Sequence, residues 1–339
     1  MTLLSDTIGK NFTGKKIVIV GDLVADQFLR GTIARVSREA PVFILRHDET
    51  ETLAGGAANA AVNVASLGGS AILVGLVGND SNGNALLEKL QQAVVDCSFV
   101  IAAEKYQTTT KVRVLAGQHY APRQQVIRID YENRETFTEE LRGKLKNNFF
   151  AAVREADAMI VSDYNYGVTK ALIADISEKI DGRESLPILV DSRFNLRDFK
   201  GATTATPNQD EVKQILGEDF TDDDCVKLCE NLGFESLLIT RGHEGMLLIE
   251  KNKTPVSFEA VGAKEPIDVT GAGDTVIAAY ALGLASGLSF SEAANVANHA
   301  GGIVVMKKGT ASVSFDELLA SLKKTEKAEQ TVKSIQQTS

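Results

Sequence analysis

At 339 residues, 44% hydrophobic and 24% charged, the chain can bury a large core, as one big α/β body or as a body with an appendage. Its formal net charge of -9 gives no general pull toward nucleic acid or anionic lipid, so any phosphate-bearing ligand must be held by local groups. The three cysteines, Cys97, Cys225 and Cys229, are odd in number and scattered, which suits a reducing compartment, and the cytoplasm is the expected location.

In chain order, residues 17–20, 71–77, 158–161, 188–190 and 236–240 are short β-branched runs that predict buried strands. Helical patterns such as 81–93 and 138–153 lie between them. The alternation predicts a mainly parallel sheet with helices on both faces. Two regions, 28–46 and 105–130, break the rhythm. There the alternation of Lys111-Val112-Arg113-Val114-Leu115 predicts antiparallel strands outside the main sheet, together forming a small lid. Residues 1–324 are expected to form the body, and 325–339, polar and without a helix-long apolar stripe, a frayed tail. No apolar stretch approaches the roughly 20 residues that span a bilayer, and no export signal is read at the start, so neither membrane insertion nor export is expected.

The segment Asp268-Val269-Thr270-Gly271-Ala272-Gly273-Asp274-Thr275 reads as a glycine turn opening a helix. Small residues there let the main chain approach an anion, and free amides at the helix start can bind charge building on a transferring phosphoryl group. Asp274, at the helix entry, is placed to accept a hydroxyl proton. The structural alternative is a capped helix, since Asp is a frequent N-cap. A second segment, Ala54-Gly55-Gly56-Ala57-Ala58-Asn59, gives an open turn before an alanine-rich helix, with Asn59 as an amide able to hydrogen-bond a polyol. A Gly-x-x-x-x-Gly-Lys-Ser/Thr phosphate loop is absent from the sequence, as is a Gly-x-Gly-x-x-Gly after Gly21-Asp22, which argues against P-loop and dinucleotide designs.

Together the two segments resemble the paired signatures of the PfkB carbohydrate kinase family, which includes ribokinase, and the resemblance runs from Gly21-Asp22 to Ser312. It implies a ribokinase-like three-layer α/β sandwich with a small β lid, and transfer of the ATP γ-phosphate to a sugar hydroxyl. Asp274 is then the base, with Gly271, Ala272 and Gly273 around the moving phosphoryl group. Asn208-Gln209-Asp210-Glu211 resembles the family's Asn-x-x-Glu motif, implying that Asn208 and Glu211 organise phosphates and Mg²⁺ through water; the same residue types are also helix caps. Thr240-Arg241-Gly242-His243-Glu244-Gly245 is similar to the nucleotide-side turn, where Arg241 would meet ATP phosphate while Gly242 and Gly245 shape the turn. Asp26 lies where relatives use a carboxylate on sugar hydroxyls, and Asp268 and Ser312 where a monovalent cation such as K⁺ is held.

The lid stretches 36–42, 110–115 and 123–130, with Val161-Ser162-Asp163-Tyr164, are similar to the heptose-7-phosphate kinases of the lipopolysaccharide core pathway within this family. The implied substrate is D-glycero-β-D-manno-heptose 7-phosphate and the product the 1,7-bisphosphate. Lys111, Arg113, Arg123 and Arg128 concentrate cations in an acidic chain, which suits a phosphosugar; their alternative is the wet face of a strand. Asp163 joins the expected substrate-binding residues. Asp191-Ser192-Arg193 stands where Asp-Pro-Lys is common, so Arg193 is expected on the phosphate path with a different geometry from lysine. The alternatives are another sugar or sugar-phosphate kinase, and a non-catalytic binding protein of the same fold. A homodimer paired through the lids is expected, because a small sheet has edges that pairing would cover.

Overall fold

The computed structural model describes residues 3–117, 123–133, 137–182, 186–262 and 265–338. Its first half runs α1 (Leu4–Asn11), β1 (Lys16–Gly21), β2 (Leu23–Val36), β3 (Phe43–Gly56), α2 (Ala57–Ser66), β4 (Ser70–Gly78), α3 (Ser81–Gln92), β5 (Asp96–Ala103), β6 (Thr110–Gly117), β7 (Gln124–Tyr131) and α4 (Glu139–Ala152). There follow β8 (Ala158–Asp163), α5 (Val168–Ala171), α6 (Ile173–Asp181), β9 (Ile188–Ser192), β10 (Thr204–Ala205), α7 (Gln209–Leu216), α8 (Asp222–Leu232), β11 (Ser236–Thr240), β12 (Met246–Glu250) and β13 (Val256–Phe258). The chain ends in α9 (Ala272–Ala285), α10 (Phe290–Val304) and α11 (Phe315–Thr338).

Strand β1 shows why a three-layer body forms. It is buried on both sides: Ile17 and Ile19 enter a core with residues of α2, α9 and α10, while Val18 and Val20 enter another with residues of α4, α6 and α8. Period-2 alternation with no polar face requires a cover of helices on each side. The main sheet has the order β13-β12-β11-β10-β9-β8-β1-β4-β5, parallel from β11 through β5 and antiparallel at β12 and β13. On either side of β1 the chain winds in opposite directions, so a crevice opens beyond the carboxyl ends of β1 and β8. The segments leaving β8, β9 and β10 deliver Tyr164, Arg193, Thr206 and Asn208 to that crevice, and β11 ends there at Thr240.

The second sheet has the order β3-β2-β6-β7 and forms the lid. Its first two strands extend past both ends of the expected 28–46: β2 starts at Leu23 and β3 runs to Gly56, directly into α2. The expectation of wholly antiparallel pairing is corrected at one place, because β2 and β6 are parallel. β6 arrives after a crossover through α2, β4, α3 and β5 instead of a hairpin, so it runs in the same direction as β2.

The expected frayed tail is corrected as well. α11 continues through Thr338, and Glu326 within it accepts hydrogen bonds from the Ser5 amide at 2.9 Å and hydroxyl at 2.6 Å. Lys, Glu, Ala and Gln are strong helix formers, so a polar composition extends a helix that is already anchored. Because Ile19 is 0% exposed at the centre of this body, Ile19→Ala should cost about 2–5 kcal/mol, read as a lower urea midpoint at unchanged slope.

Candidate active site

Helix α9 opens on Gly271, whose φ of 77° is left-handed. A side chain there would bring its Cβ to 2.6 Å from Asn59 Nδ2, so a glycine is required twice over. The first-turn amides of Gly273 and Asp274 have no acceptor within the helix and face the crevice with the positive end of the helix dipole. Asp274 itself is buried, and both carboxylate oxygens are engaged: Asn59 Nδ2 donates to Oδ2 at 2.6 Å, and the Tyr164 hydroxyl donates to Oδ1 at 3.0 Å. Burial raises its pKa to about 6, against the opposing pull of those two hydrogen bonds.

Asn59, expected to meet a polyol, places one side-chain N–H on the Asp274 carboxylate. Asn63 fixes it, donating to the Asn59 carbonyl at 3.0 Å and to its side-chain oxygen at 3.2 Å, while the Thr275 hydroxyl donates to Asn63 at 2.9 Å. α2 and α9 are thereby joined by a buried polar chain ending on Asp274.

A cavity of about 250 Å³ surrounds this carboxylate, lined among others by Asp26, Gly56, Lys111, Arg113, Asp191 and Arg193. The Lys111 ammonium lies 5.8 Å from the ring centre of Tyr164 and 5.6 Å from that of Tyr166, and the Arg193 guanidinium lies 5.4 Å from the Tyr164 ring. Among the described residues neither cation forms a salt bridge. Arg113 is committed to the Asp26 carboxylate and is mostly buried. Gly55 backs that pair, since a Cβ on it would meet Asp26 Oδ2 at 2.6 Å.

Asn208 and Glu211 line the same cavity as a capping box on α7: Asn208 Oδ1 accepts from the Glu211 amide at 2.9 Å, and Glu211 Oε2 from the Asn208 amide at 2.8 Å. The capping role and the position on the cavity wall are therefore not exclusive. Burial raises the Glu211 pKa, and burial followed by the like charges of Asp274 and Glu211 pushes Asp191 well above the usual carboxylate range. Such mutual repulsion suits a divalent cation brought in with a nucleotide. Among the described residues no group of three or more acidic, cysteine or histidine side chains could hold a metal ion.

Several expected site residues make internal contacts. Arg128 makes two 2.9 Å bonds to Asp130, and Arg123 one of 2.6 Å to Asp48, both on the exposed lid and away from the cavity lining. Asp163 touches the cavity, but its carboxylate accepts from Thr169 Oγ1 and Ser192 Oγ at 2.6 Å each and from Asn195 Nδ2 at 3.0 Å. Arg241 turns onto Asp222 at 2.6 Å, at the start of α8. Asp268 accepts from the Thr270 and Gly309 amides, each at 2.9 Å, and the Ser312 carbonyl accepts from Lys307 Nζ at 2.8 Å.

Tyr164 and Asp22 are the residues that sequence reading missed as functional. Asp22 accepts from the backbone amides of Tyr164 and Tyr166 at 3.0 Å each and of Val168 at 2.9 Å, clamping the loop after β8 that carries Tyr164. The signal was present in Gly21-Asp22 and Asp163-Tyr164, but no spacing rule joins residues so far apart in sequence.

A second, largely apolar cavity of about 170 Å³ adjoins the first, with Thr240, Val269, Ala272 and Gly273 common to both. Its walls include Gly242, Gly245, Val261, Val276 and Val305, a surface suited to a flat apolar base. Gly245, at φ 90°, is confined to glycine by the end of β13 and the residues after it, as a Cβ would overlap the Phe258 carbonyl oxygen and lie 2.7 Å from the Ala260 amide.

A family model described as "pfkB family carbohydrate kinase" matches residues 15–317. The chain is 40% identical over 316 residues to the bifunctional protein HldE of Haemophilus influenzae (strain PittEE), a match covering 91% of this chain and 63% of that protein. To the bifunctional protein HldE of Koribacter versatilis (strain Ellin345) it is 38% identical over 325 residues, covering 94% of this chain and 65% of that one. The chain thus spans less than two thirds of the length of these relatives. Among solved structures, Arabidopsis thaliana ribokinase complexed with ribose and ATP aligns at a TM-score of 0.67 and 21% identity, over 92% of this chain and 99% of that chain. Phosphofructokinase-2 from Escherichia coli in complex with fructose-6-phosphate aligns at 0.71 and 18%, over 92% and 99%. The chain belongs to the pfkB family of carbohydrate kinases, and its fold is ribokinase-like.

Gly271→Ala should destabilise the protein by at least about 1–2 kcal/mol, from the left-handed backbone alone, with a further loss as Asn59 is displaced. Urea unfolding of this variant beside Gly273→Ala, where a Cβ meets nothing within 4 Å, checks the assignment: only the first should shift strongly.

Proposed function

We propose that the chain transfers the γ-phosphate of ATP to the C1 hydroxyl of D-glycero-β-D-manno-heptose 7-phosphate, giving the 1,7-bisphosphate and ADP, in the cytoplasmic supply of ADP-heptose for the lipopolysaccharide core. The observation that carries the phosphosugar reading is the pair Lys111 and Arg193 on the wall of the Asp274 cavity. Each is free of any salt bridge among the described residues, in a chain of net charge -9. One suits the phosphate already on the sugar, the other the phosphate in transit. The similarity of the lid stretches to heptose-7-phosphate kinases, and of the chain to HldE proteins, supports the same reading.

In this mechanism the adenosine takes the apolar cavity and the γ-phosphate points at the first turn of α9. The sugar oxygen attacks the γ-phosphorus, the bond to the ADP oxygen breaks, and the hydroxyl proton passes to Asp274. The amides of Gly273 and Asp274 stabilise the charge on the transferring group. Glu211, with Asn208 beside it on the cavity wall, would hold the Mg²⁺ that accompanies ATP, and the ion would supply screening of the phosphate charge. Pairing of two copies through the lid belongs to the same proposal. It is supported by the exposed Val36, Val42, Phe43, Val126, Ile127 and Ile129 on lid strands and their connection.

ADP release measured across heptose 7-phosphate, fructose 6-phosphate, fructose and ribose tests the substrate. Highest kcat/KM with heptose 7-phosphate is expected; preference for an unphosphorylated sugar would sink the assignment and leave the sugar kinase class standing. Asp274→Asn should bind ATP as before but turn over about 10²- to 10⁴-fold more slowly. A base must be ionised, so wild-type kcat/KM should fall as pH drops through about 6, where the Asp274 carboxylate takes up a proton.

Lys111→Met should raise KM for the phosphosugar about 10- to 150-fold, the loss of one charge-assisted hydrogen bond, with a much smaller change for the sugar without its phosphate. Arg128→Ala should change either constant little, since that guanidinium is paired with Asp130 outside the cavity. Steady-state kinetics with both sugars decide between them.

A further inference from the structure

Tyr164 stands where three separate constraints meet. Its amide is held by Asp22, its hydroxyl by Asp274 Oδ1, and its ring is in reach of both Lys111 and Arg193. The turn at Gly56 borders that ring: Gly56 has a φ of 58° and is confined to glycine by the Asp22 carbonyl oxygen, which a Cβ would meet at 2.6 Å. Few tyrosines are fixed at backbone, ring and hydroxyl together, and here the hydroxyl ends on the carboxylate at the centre of the cavity.

We infer that Tyr164 is a positioning residue for phosphoryl transfer, its hydroxyl orienting the Asp274 carboxylate toward the sugar hydroxyl and its ring setting the separation of Lys111 and Arg193. The inference rests on Asp274 being the base. Burial pushes the tyrosine pKa far above 10, so the phenol stays a donor at every working pH. With Asn59 on Oδ2 and Tyr164 on Oδ1, the carboxylate cannot rotate, and its remaining lone pairs face the cavity. The other charged groups acting on Asp274 are Asp26 from β2, which raises its pKa, and Arg193 from the loop after β9, which lowers it; Asp191 at the end of β9 repels it as well. The phenol hydrogen bond acts with Arg193 to keep the base ionised.

The ring and hydroxyl separate by substitution. Tyr164→Phe, Tyr164→Leu and Asp274→Asn should be assayed from about pH 5 to 9 with whichever sugar the wild type turns over fastest, so that an error in the heptose reading does not reach this test. In Tyr164→Phe the acid limb of kcat/KM should move up by about one pH unit, and the plateau above about pH 8 should also fall as the carboxylate loses its orientation, with KM for sugar and ATP kept. Tyr164→Leu should add a rise in sugar KM. Fluorotyrosine at position 164, a stronger donor, should move the limb the opposite way, and it serves as the test should the phenylalanine variant not fold. A limb that stays in place while activity falls evenly at all pH values, or a Tyr164→Phe enzyme equal to wild type, would overturn the inference. Retained turnover in Asp274→Asn would instead remove the base assignment beneath it.

Discussion

A carboxylate buried at the first turn of a helix is the constraint on which the site depends. Removing Asp274 from water is costly, and three features offset the cost: the dipole and free amides of α9, the Asn59 amide, and the Tyr164 phenol. Each of these needs its own support. Gly271 must take a left-handed turn to leave space for Asn59, Asn63 and Thr275 must hold Asn59 in its rotamer, and Asp22 must clamp the loop that presents Tyr164. The result joins α2, α9, β1 and β8 around one ionisable group whose pKa, raised to about 6, leaves it mostly ionised yet basic near neutral pH.

The same economy governs charge. An acidic chain gains an anion site by leaving a few cations unspent inside a cavity while pairing the rest. Arg113 neutralises Asp26, Arg128 meets Asp130, and Arg123 meets Asp48; Lys111 and Arg193 are left facing the cavity over aromatic rings. Rings hold a cation in place without cancelling its charge, so the field reaches the ligand space. Opposite stand Asp191 and Glu211, whose raised pKa values mark a region where negative charge is crowded and a divalent ion would be welcome.

The Asn208–Glu211 capping box illustrates how stability and chemistry share residues in this fold. The box ends α7 neatly, using one carboxylate oxygen on the Asn208 amide, and it still belongs to the cavity wall. Turns made by small residues allow the main chain itself to line the cavity at Gly56 and at Gly271 to Gly273. The lid, continuous with the body through β3 and α2, brings Asp26, Lys111 and Arg113 over that cavity.

The parallel core strands, the helices between them, the lid and the glycine turn before Asp274 were all legible in the sequence, because periodicity and glycine placement are local properties of the chain. So was the family, carried by two contiguous segments. The parallel pairing of β2 with β6 was not legible, since strand direction follows from a crossover spanning many residues and not from alternation within either strand. The helical end of α11 was hidden for a related reason: a polar composition is compatible with a tail until something distant, here Ser5 on Glu326, anchors it. The cationic residues show the division most sharply. Sequence identified Lys111, Arg113, Arg123 and Arg128 as one group, but a guanidinium takes whichever carboxylate the fold brings within reach. Tertiary structure alone decided that three of the four are spent on Asp26, Asp48 and Asp130, and that Tyr164, Asn59 and Asp274, from three separate segments, form one hydrogen-bonded unit.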